Sequence, residues 1–161
     1  MRWLALLCAL AVQPASAAER VAPGLCTADE VSYFACRTAR DRRIALCGTS
    51  PQALQYRYGR SGAVELQFPE HTADAAARML YSHYGRYQTE LVELRFTNGG
   101  VEYVLFEHIE GQRRSAGVRV TSPGAKDRVV ACAGRIDSRL GELEGALACD
   151  ADNALNLGAC R

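Results

Sequence analysis

Six of the seven cysteines fall into two trios: Cys26, Cys36 and Cys47 towards one end of the chain, Cys132, Cys149 and Cys160 towards the other. Three is an odd number, so if all six pair within the chain, at least one bridge joins one trio to the other. The shortest such link, Cys47 to Cys132, spans 85 residues (132 − 47), and loop-closure entropy puts its constraint on the unfolded chain at roughly 4–5 kcal/mol. Which cysteine takes which partner is left open by sequence alone. Metal binding is the rival use of so many thiols. The chain has no Cys-x-x-Cys, and His71, His83 and His108 show no ligand spacing with one another or with a cysteine, so neither a metal nor another cofactor is expected.

An even set of cysteines belongs to an oxidising compartment, and the amino terminus agrees. Met1-Arg2 supplies a positive start, Trp3 to Val12 an apolar stretch, and Ala15-Ser16-Ala17 a small-x-small site, which predicts an export signal over 1–17, cleaved after Ala17. A single β-rich, disulfide-linked domain over 18–161 then resides in the periplasm. Cys8, the seventh cysteine, follows Leu6-Leu7 where a lipid-attachment site needs small residues, so no lipid anchor is expected. The chain carries 19 basic and 18 acidic side chains. Loss of Arg2 with the signal leaves them equal, which speaks against a nucleic-acid groove or a polybasic membrane surface. With 48% apolar residues the chain can bury a core, and no later run reaches the ~20 apolar residues of a spanning helix, so no membrane anchor is expected.

Alternation of apolar and polar residues places four hairpins. Val31 to Cys36 and Ile44 to Cys47 flank a charged turn and should bring Cys36 and Cys47 close together. Opposing Leu54 to Phe68, Tyr56 to Leu66 and Tyr58 to Val64 puts the apolar side chains on one face, sets Arg57 against Glu65 on the other, and leaves Arg60-Ser61-Gly62 as the loop. Asn98-Gly99 reads as a two-residue turn opposing Phe96 to Val101, Leu94 to Tyr103 and Val92 to Leu105. The outer face of that hairpin pairs Arg95 with Glu102 and Leu91 with Phe106, so part of it is covered or used. Gly117 to Val120 and Val129 to Cys132 flank the turn Ser122-Pro123-Gly124. Between hairpins, Thr72 can cap a short helix through Ala75 to Leu80 that stops at Gly85, and Ile136, Leu140, Leu143 and Leu147 recur at helical spacing. The expected fold is mainly β: an antiparallel β-sandwich or open barrel of about seven to eight strands with one or two short helices, stapled by disulfides.

The sequence contains no nucleophile elbow, phosphate-binding glycine loop or His-Glu-x-x-His. Ser61 reads as a turn residue. Glu107 and His108 stand at adjacent strand positions, which point to opposite faces, so they do not form an acid–base pair. Asp150-Ala151-Asp152-Asn153 resembles the start of a calcium loop, but Ala154 and Leu155 fall where further ligands are needed. The segment reads better as an Asx turn capping Ala154 to Leu157 and closed by Cys149 and Cys160. Arg37, Arg40, Arg42 and Arg43 make a basic tip that reads as a solvated turn. No catalytic residue is expected.

The segment His83-Tyr84-Gly85-Arg86-Tyr87, placed in a loop between a helix and a strand, is the expected partner-binding site. Tyrosines and an arginine around a glycine are the rigid, amphipathic anchors of protein-binding hot spots. An exported, disulfide-linked β domain with Tyr33-Phe34-Ala35-Cys36 on an early strand resembles the bacterial periplasmic lysozyme inhibitors. That resemblance implies a small β-sandwich or barrel that pushes a Ser-Gly-x-(x)-Tyr loop into the lysozyme cleft; the matching residues are Gly85-Arg86-Tyr87, with Tyr84 in place of the serine. The expected function is inhibition of a cell-wall hydrolase, as a lysozyme inhibitor or as immunity against a secreted peptidoglycan-degrading toxin. The alternative is a non-enzymatic envelope interaction or assembly protein that uses the face of Leu91 and Phe106.

Overall fold

The computed structural model describes residues 24–156 and Cys160. The expected export signal, and Leu157 in the expected cap, lie outside the described residues. Ten strands form one sheet: β1 Val31–Thr38, β2 Arg43–Ser50, β3 Ala53–Arg60, β4 Ala63–Phe68, β5 Leu80–Arg86, β6 Thr89–Asn98, β7 Val101–Glu110, β8 Arg113–Thr121, β9 Arg128–Ser138 and β10 Ala148–Cys149. Their spatial order is β10-β5-β6-β7-β8-β9-β1-β2-β3-β4. All neighbours run antiparallel except β10, which pairs in parallel with Leu80 and Tyr81 of β5. The mainly antiparallel class expected from the sequence is observed as one curled, open sheet, with two strands beyond the four expected hairpins, β5 and β10, together at one end of the order.

The sheet curls until its two ends share one core. Phe68 of β4 stacks on Phe96 of β6 with ring centroids 4.7 Å apart, and Tyr56 of β3 meets the same ring at 5.1 Å, although β4 and β6 lie far apart in the strand order. Aromatic pairs at these separations add to the gain from burial alone. Around them Phe34, Ile44, Leu46, Leu54, Leu94 and Leu105 are fully buried on the concave face, with Ile44 and Leu46, Leu54 and Tyr56, and Leu94 and Phe96 each two residues apart, as one inward face requires.

The hairpins form where the sequence places them, but two registers differ by two residues. Phe96 opposes Tyr103 and Asn98 opposes Val101, so the turn is Gly99-Gly100, both at positive φ (58° and 77°), and not Asn98-Gly99. Two adjacent left-handed positions suit two glycines, which have no Cβ to strain there. In the other hairpin Tyr56 opposes Phe68 and Tyr58 opposes Leu66, after which a bulge brings Gly59 against Val64. A Cβ on Gly59 would collide with the backbone of Ala63 and Glu65, so the bulge requires glycine there. A slip of two keeps every side chain on its face, which is why the apolar faces are as expected while the partners are not. Arg57 therefore opposes Gln67, and its guanidinium grips Glu30 at 2.6 and 2.7 Å. Glu65 pairs with Arg42 instead.

The helical expectations are corrected further. Thr72–Asp74 is a 3₁₀ turn and α1 covers only Ala75–Arg78. The side chain of Thr72 makes no cap bond; His71 holds the cap position. Met79 is already extended, because Leu80 and Tyr81 are drawn into the ladder opposite Arg95 and Leu94; tertiary pairing overrides helix propensity here. Gly85 is a strand residue and not a helix stop. Ile136 lies on β9, while Leu140 and Leu143 are fully buried from a 3₁₀ turn, Leu140–Leu143.

The bridges are Cys26–Cys47, Cys36–Cys132 and Cys149–Cys160. Cys36–Cys132 joins the two trios, as parity demands. Cys36 and Cys47 do not meet. Cys36 opposes Ile44 and faces the core, whereas Cys47 opposes Ser32 and faces outward with Leu25 and Ala45. Three disulfides fit an oxidising, extracytoplasmic compartment. No helix among the described residues is long and apolar enough to cross a membrane.

Candidate functional site

His83 to Tyr87 do not form a loop after a helix. They are the end of β5 and the tip of its hairpin with β6: Arg86 opposes Thr89, leaving Tyr87-Gln88 as a two-residue turn with Gln88 at φ 55°. Alternation then divides the segment. His83 and Gly85 share the concave face with Tyr81, opposite Val92 and Leu94, while Tyr84 and Arg86 face the other way. At the tip Tyr87 is 87% exposed, the most exposed large hydrophobic side chain among the described residues. The tip is tied down by a backbone bond from Gly111, in the neighbouring β7–β8 turn, to the Gln88 carbonyl at 2.7 Å. Gln88 Nε2 donates to the Tyr87 hydroxyl at 3.3 Å.

Behind the tip lies a cleft of about 590 Å³. β10 covers only the first two residues of β5, and beyond them the chain leaves the sheet edge through Asp150 into the 3₁₀ turn Ala154–Asn156. Asn156 Oδ1 accepts from the His83 backbone N–H at 3.4 Å, and its amide donates to Ser82 Oγ and the Asp150 carbonyl. The opposite wall comes from Glu144, Gly145 and Leu147. Three of the five expected binding residues, His83, Tyr84 and Gly85, thus line one cleft. The remaining two, Arg86 and Tyr87, stand exposed at its rim.

On the outer face of β6 and β7 lies a second polar group. Glu93 accepts from Asn153 Nδ2 at 2.8 Å, lies 3.2 Å from His108 Nε2, and meets Arg119 at 3.3 Å. Burial alone would raise its pKa; the bonds from His108 and Asn153 and the charge of Arg119 outweigh that and hold it down at about 2. Beside it Arg95 grips Asp150 at 2.5 and 2.6 Å and reaches Glu102 at 3.4 Å. Asp150 Oδ1 also accepts from Asp152 N–H, and Asn153 Oδ1 accepts from Leu155 N–H. The acidic segment is therefore an Asx-turn clamp that fastens the carboxy-terminal strap to the sheet. This polar cover also changes the reading of the outer face. Leu91 opposes His108 and not Phe106, and Phe106 is only 9% exposed.

Glu107 and His108 part as alternation requires. Glu107 turns inward to Arg114 and the Ser138 hydroxyl, His108 outward to Glu93. In the basic turn, Arg37 lies 3.6 Å from Asp41, and Arg42 reaches across to Glu65. Sequence reasoning missed Tyr81 and Glu144 at the cleft, and Glu90 against the ring of His83. Glu144 is remote in sequence, and only strand alternation tied Tyr81 to His83. No protein-family model, no curated protein and no solved structure matches this chain.

Proposed function

We propose that this chain is a non-catalytic periplasmic binding protein that inhibits a cell-wall hydrolase by inserting the β5–β6 hairpin tip into the enzyme's saccharide groove. The export signal cleaved after Ala17 belongs to the same reading. The observation that carries it is Tyr87, a large aromatic side chain held out in solvent on a two-residue turn. Left in water, such a ring gains nothing for the fold; desolvated in a partner's groove, it is the kind of anchor that dominates binding energy. The Gly111–Gln88 bond and the three bridges reduce the ordering cost on association. The resemblance of Gly85-Arg86-Tyr87 to the inhibitory loop of lysozyme inhibitors points to the class of partner. Immunity against a secreted peptidoglycan-degrading toxin poses the same physical task. The rival reading, an envelope assembly protein docking through Leu91 and Phe106, has less support, because Phe106 is covered.

The test is cell-wall lysis by animal-type, invertebrate-type and goose-type lysozymes, with and without excess oxidised protein. The expected result is inhibition of one class, weakened at least about tenfold by Tyr87→Ala with an unchanged unfolding midpoint. Full inhibition by Tyr87→Ala would remove the hairpin tip from the reading. No inhibition of any class would remove lysozymes as its targets.

A further inference from the structure

Away from the cleft, positive charge gathers on the outer face of β9, β1 and β2. Arg37 of β1 directly opposes Arg43 of β2. On the other side of β1, Cys36 opposes Ile136 and Thr38 opposes Cys132, so the bulge Ala133 to Arg135 of β9 faces the single residue Arg37. Ile136 packs against the core, which turns Arg135 and Asp137 outward by alternation. Three arginines thus stand in one row across three neighbouring strands. Like charges placed opposite each other destabilise a sheet.

Carboxylates offset this row only in part. Asp137 accepts from Arg135 Nε at 2.7 Å. Asp41 lies 3.6 Å from Arg37, beyond hydrogen-bond reach, and its side chain is 87% exposed. Arg43 is half-buried and makes no ion pair or side-chain hydrogen bond among the described residues. The next place in the row, on β3, is Gly59, which has no side chain to offer. Arginines elsewhere in the sheet are spent on the fold: Arg57 on Glu30, Arg95 on Asp150 and Arg114 on Glu107. The row also rims a pocket of about 300 Å³, with Ala35 and Ala45 as its floor and Leu25 on one wall. Asp137 is the one carboxylate among the described lining residues, so three guanidiniums leave an excess of two positive charges above a floor of methyl groups.

We propose that this pocket binds a phosphomonoester, its phosphoryl group held by Arg37, Arg43 and Arg135 and its organic part against Leu25, Ala35 and Ala45. Three free oxygens and close to two negative charges match three guanidiniums with an excess of two, and bidentate N–H pairs suit those oxygens. A carboxylate offers only two oxygens and one charge. In a chain whose charges otherwise balance, 19 basic against 18 acidic, the excess is a local site and not a polybasic surface. The same ester chemistry is presented by a free small molecule and by a lipid head group. The inference stands apart from the hairpin-tip reading, since none of its residues lies in the β5–β6 hairpin and its test contains no hydrolase.

The experiment titrates the oxidised protein with butyl phosphate, followed by calorimetry, at a pH where the ester is doubly ionised, with butanoate as the control at matched ionic strength. The expected result is saturable binding of butyl phosphate, at least about tenfold tighter than that of butanoate. Arg37→Gln with Arg43→Gln should weaken it at least about tenfold, and Ala35→Leu, which fills the floor, several-fold, with ligand-free unfolding midpoints that show the fold intact. Saturating butyl phosphate should raise the unfolding midpoint of the unaltered protein and not that of the double glutamine variant. Tighter binding to phosphatidylcholine vesicles that contain phosphatidic acid than to butyl phosphate assigns the ester to a lipid head group; equal or weaker binding assigns it to a free small molecule. Saturable binding of neither butyl phosphate nor those vesicles overturns the proposal. So does equal binding of butanoate, or phosphate binding undiminished in the double glutamine variant.

Discussion

Histidine meets glutamate on both faces of this sheet, and the two meetings differ in what is left over. On the outer face Glu93 has His108, Asn153 and Arg119, and the adjoining Asp150 has Arg95. At the cleft, Glu90 and Glu144 share the one imidazole of His83, and the Tyr81 hydroxyl has no hydrogen-bond partner among the described residues. A polar group whose bonds are all made within the chain acts as a fastener, here holding the carboxy-terminal strap on the sheet. One left short of donors carries part of the cost of burial without the return. Histidine beside glutamate therefore carries no function by itself; the count of partners around the pair separates the two sites.

The largest perturbation acts on both sites alike and serves as the reference. Replacing Cys36 and Cys132 by alanine removes the only described bridge between the trios, closing 96 residues, and should lower stability by roughly 4–5 kcal/mol in urea unfolding. A loss below about 1 kcal/mol would mean that the curled sheet holds without its staple.

Acid comes next and should strike the outer site. The Glu93 carboxyl falls from its ordinary 4.5 to about 2 in the fold, so folding favours its ionised form. That stabilisation is complete above pH 4.5, the unfolded-chain value, and is lost as pH falls from there towards 2; linkage puts it at about 3 kcal/mol. Glu93→Gln should flatten this part of the pH–stability profile and cost about 2 kcal/mol at neutral pH. That is less than for a fully buried pair, because the Arg119 side chain keeps 35% exposure. An unchanged acid profile in Glu93→Gln would break the contrast from that side.

The cleft should respond in the opposite sense. Tyr81→Phe removes a buried hydroxyl that has no bond among the described residues, so stability should stay level or rise by up to about 1 kcal/mol. Glu144→Gln, on a side chain that is 67% exposed, should stay within about 0.5 kcal/mol. A loss above about 2 kcal/mol in Tyr81→Phe would show that the hydroxyl is already engaged in the fold.

Strand periodicity made the hairpins and their inward faces legible, because a side-chain period of two survives a register error of two. Phe96 faces the core whether it opposes Val101 or Tyr103. The partners were not legible, since Asn98-Gly99-Gly100 offers two overlapping turns and only the pair at positive φ matches the twist of the strands. Parity of the cysteine trios required a long bridge, while the actual pairing followed from Cys36 and Cys47 lying on opposite faces of one hairpin. Of the site, the tyrosine-rich segment could be read as exposed chemistry. The cleft could not, because its second wall comes from Glu144 and Leu147, brought there by a 3₁₀ turn whose leucines read as an α-helix.

The measurement that separates the two histidine sites most directly is urea unfolding of Glu93→Gln beside that of Tyr81→Phe at neutral pH. The account predicts a loss of about 2 kcal/mol in Glu93→Gln and none in Tyr81→Phe. A loss in Tyr81→Phe equal to that in Glu93→Gln, or no loss in either, would contradict it.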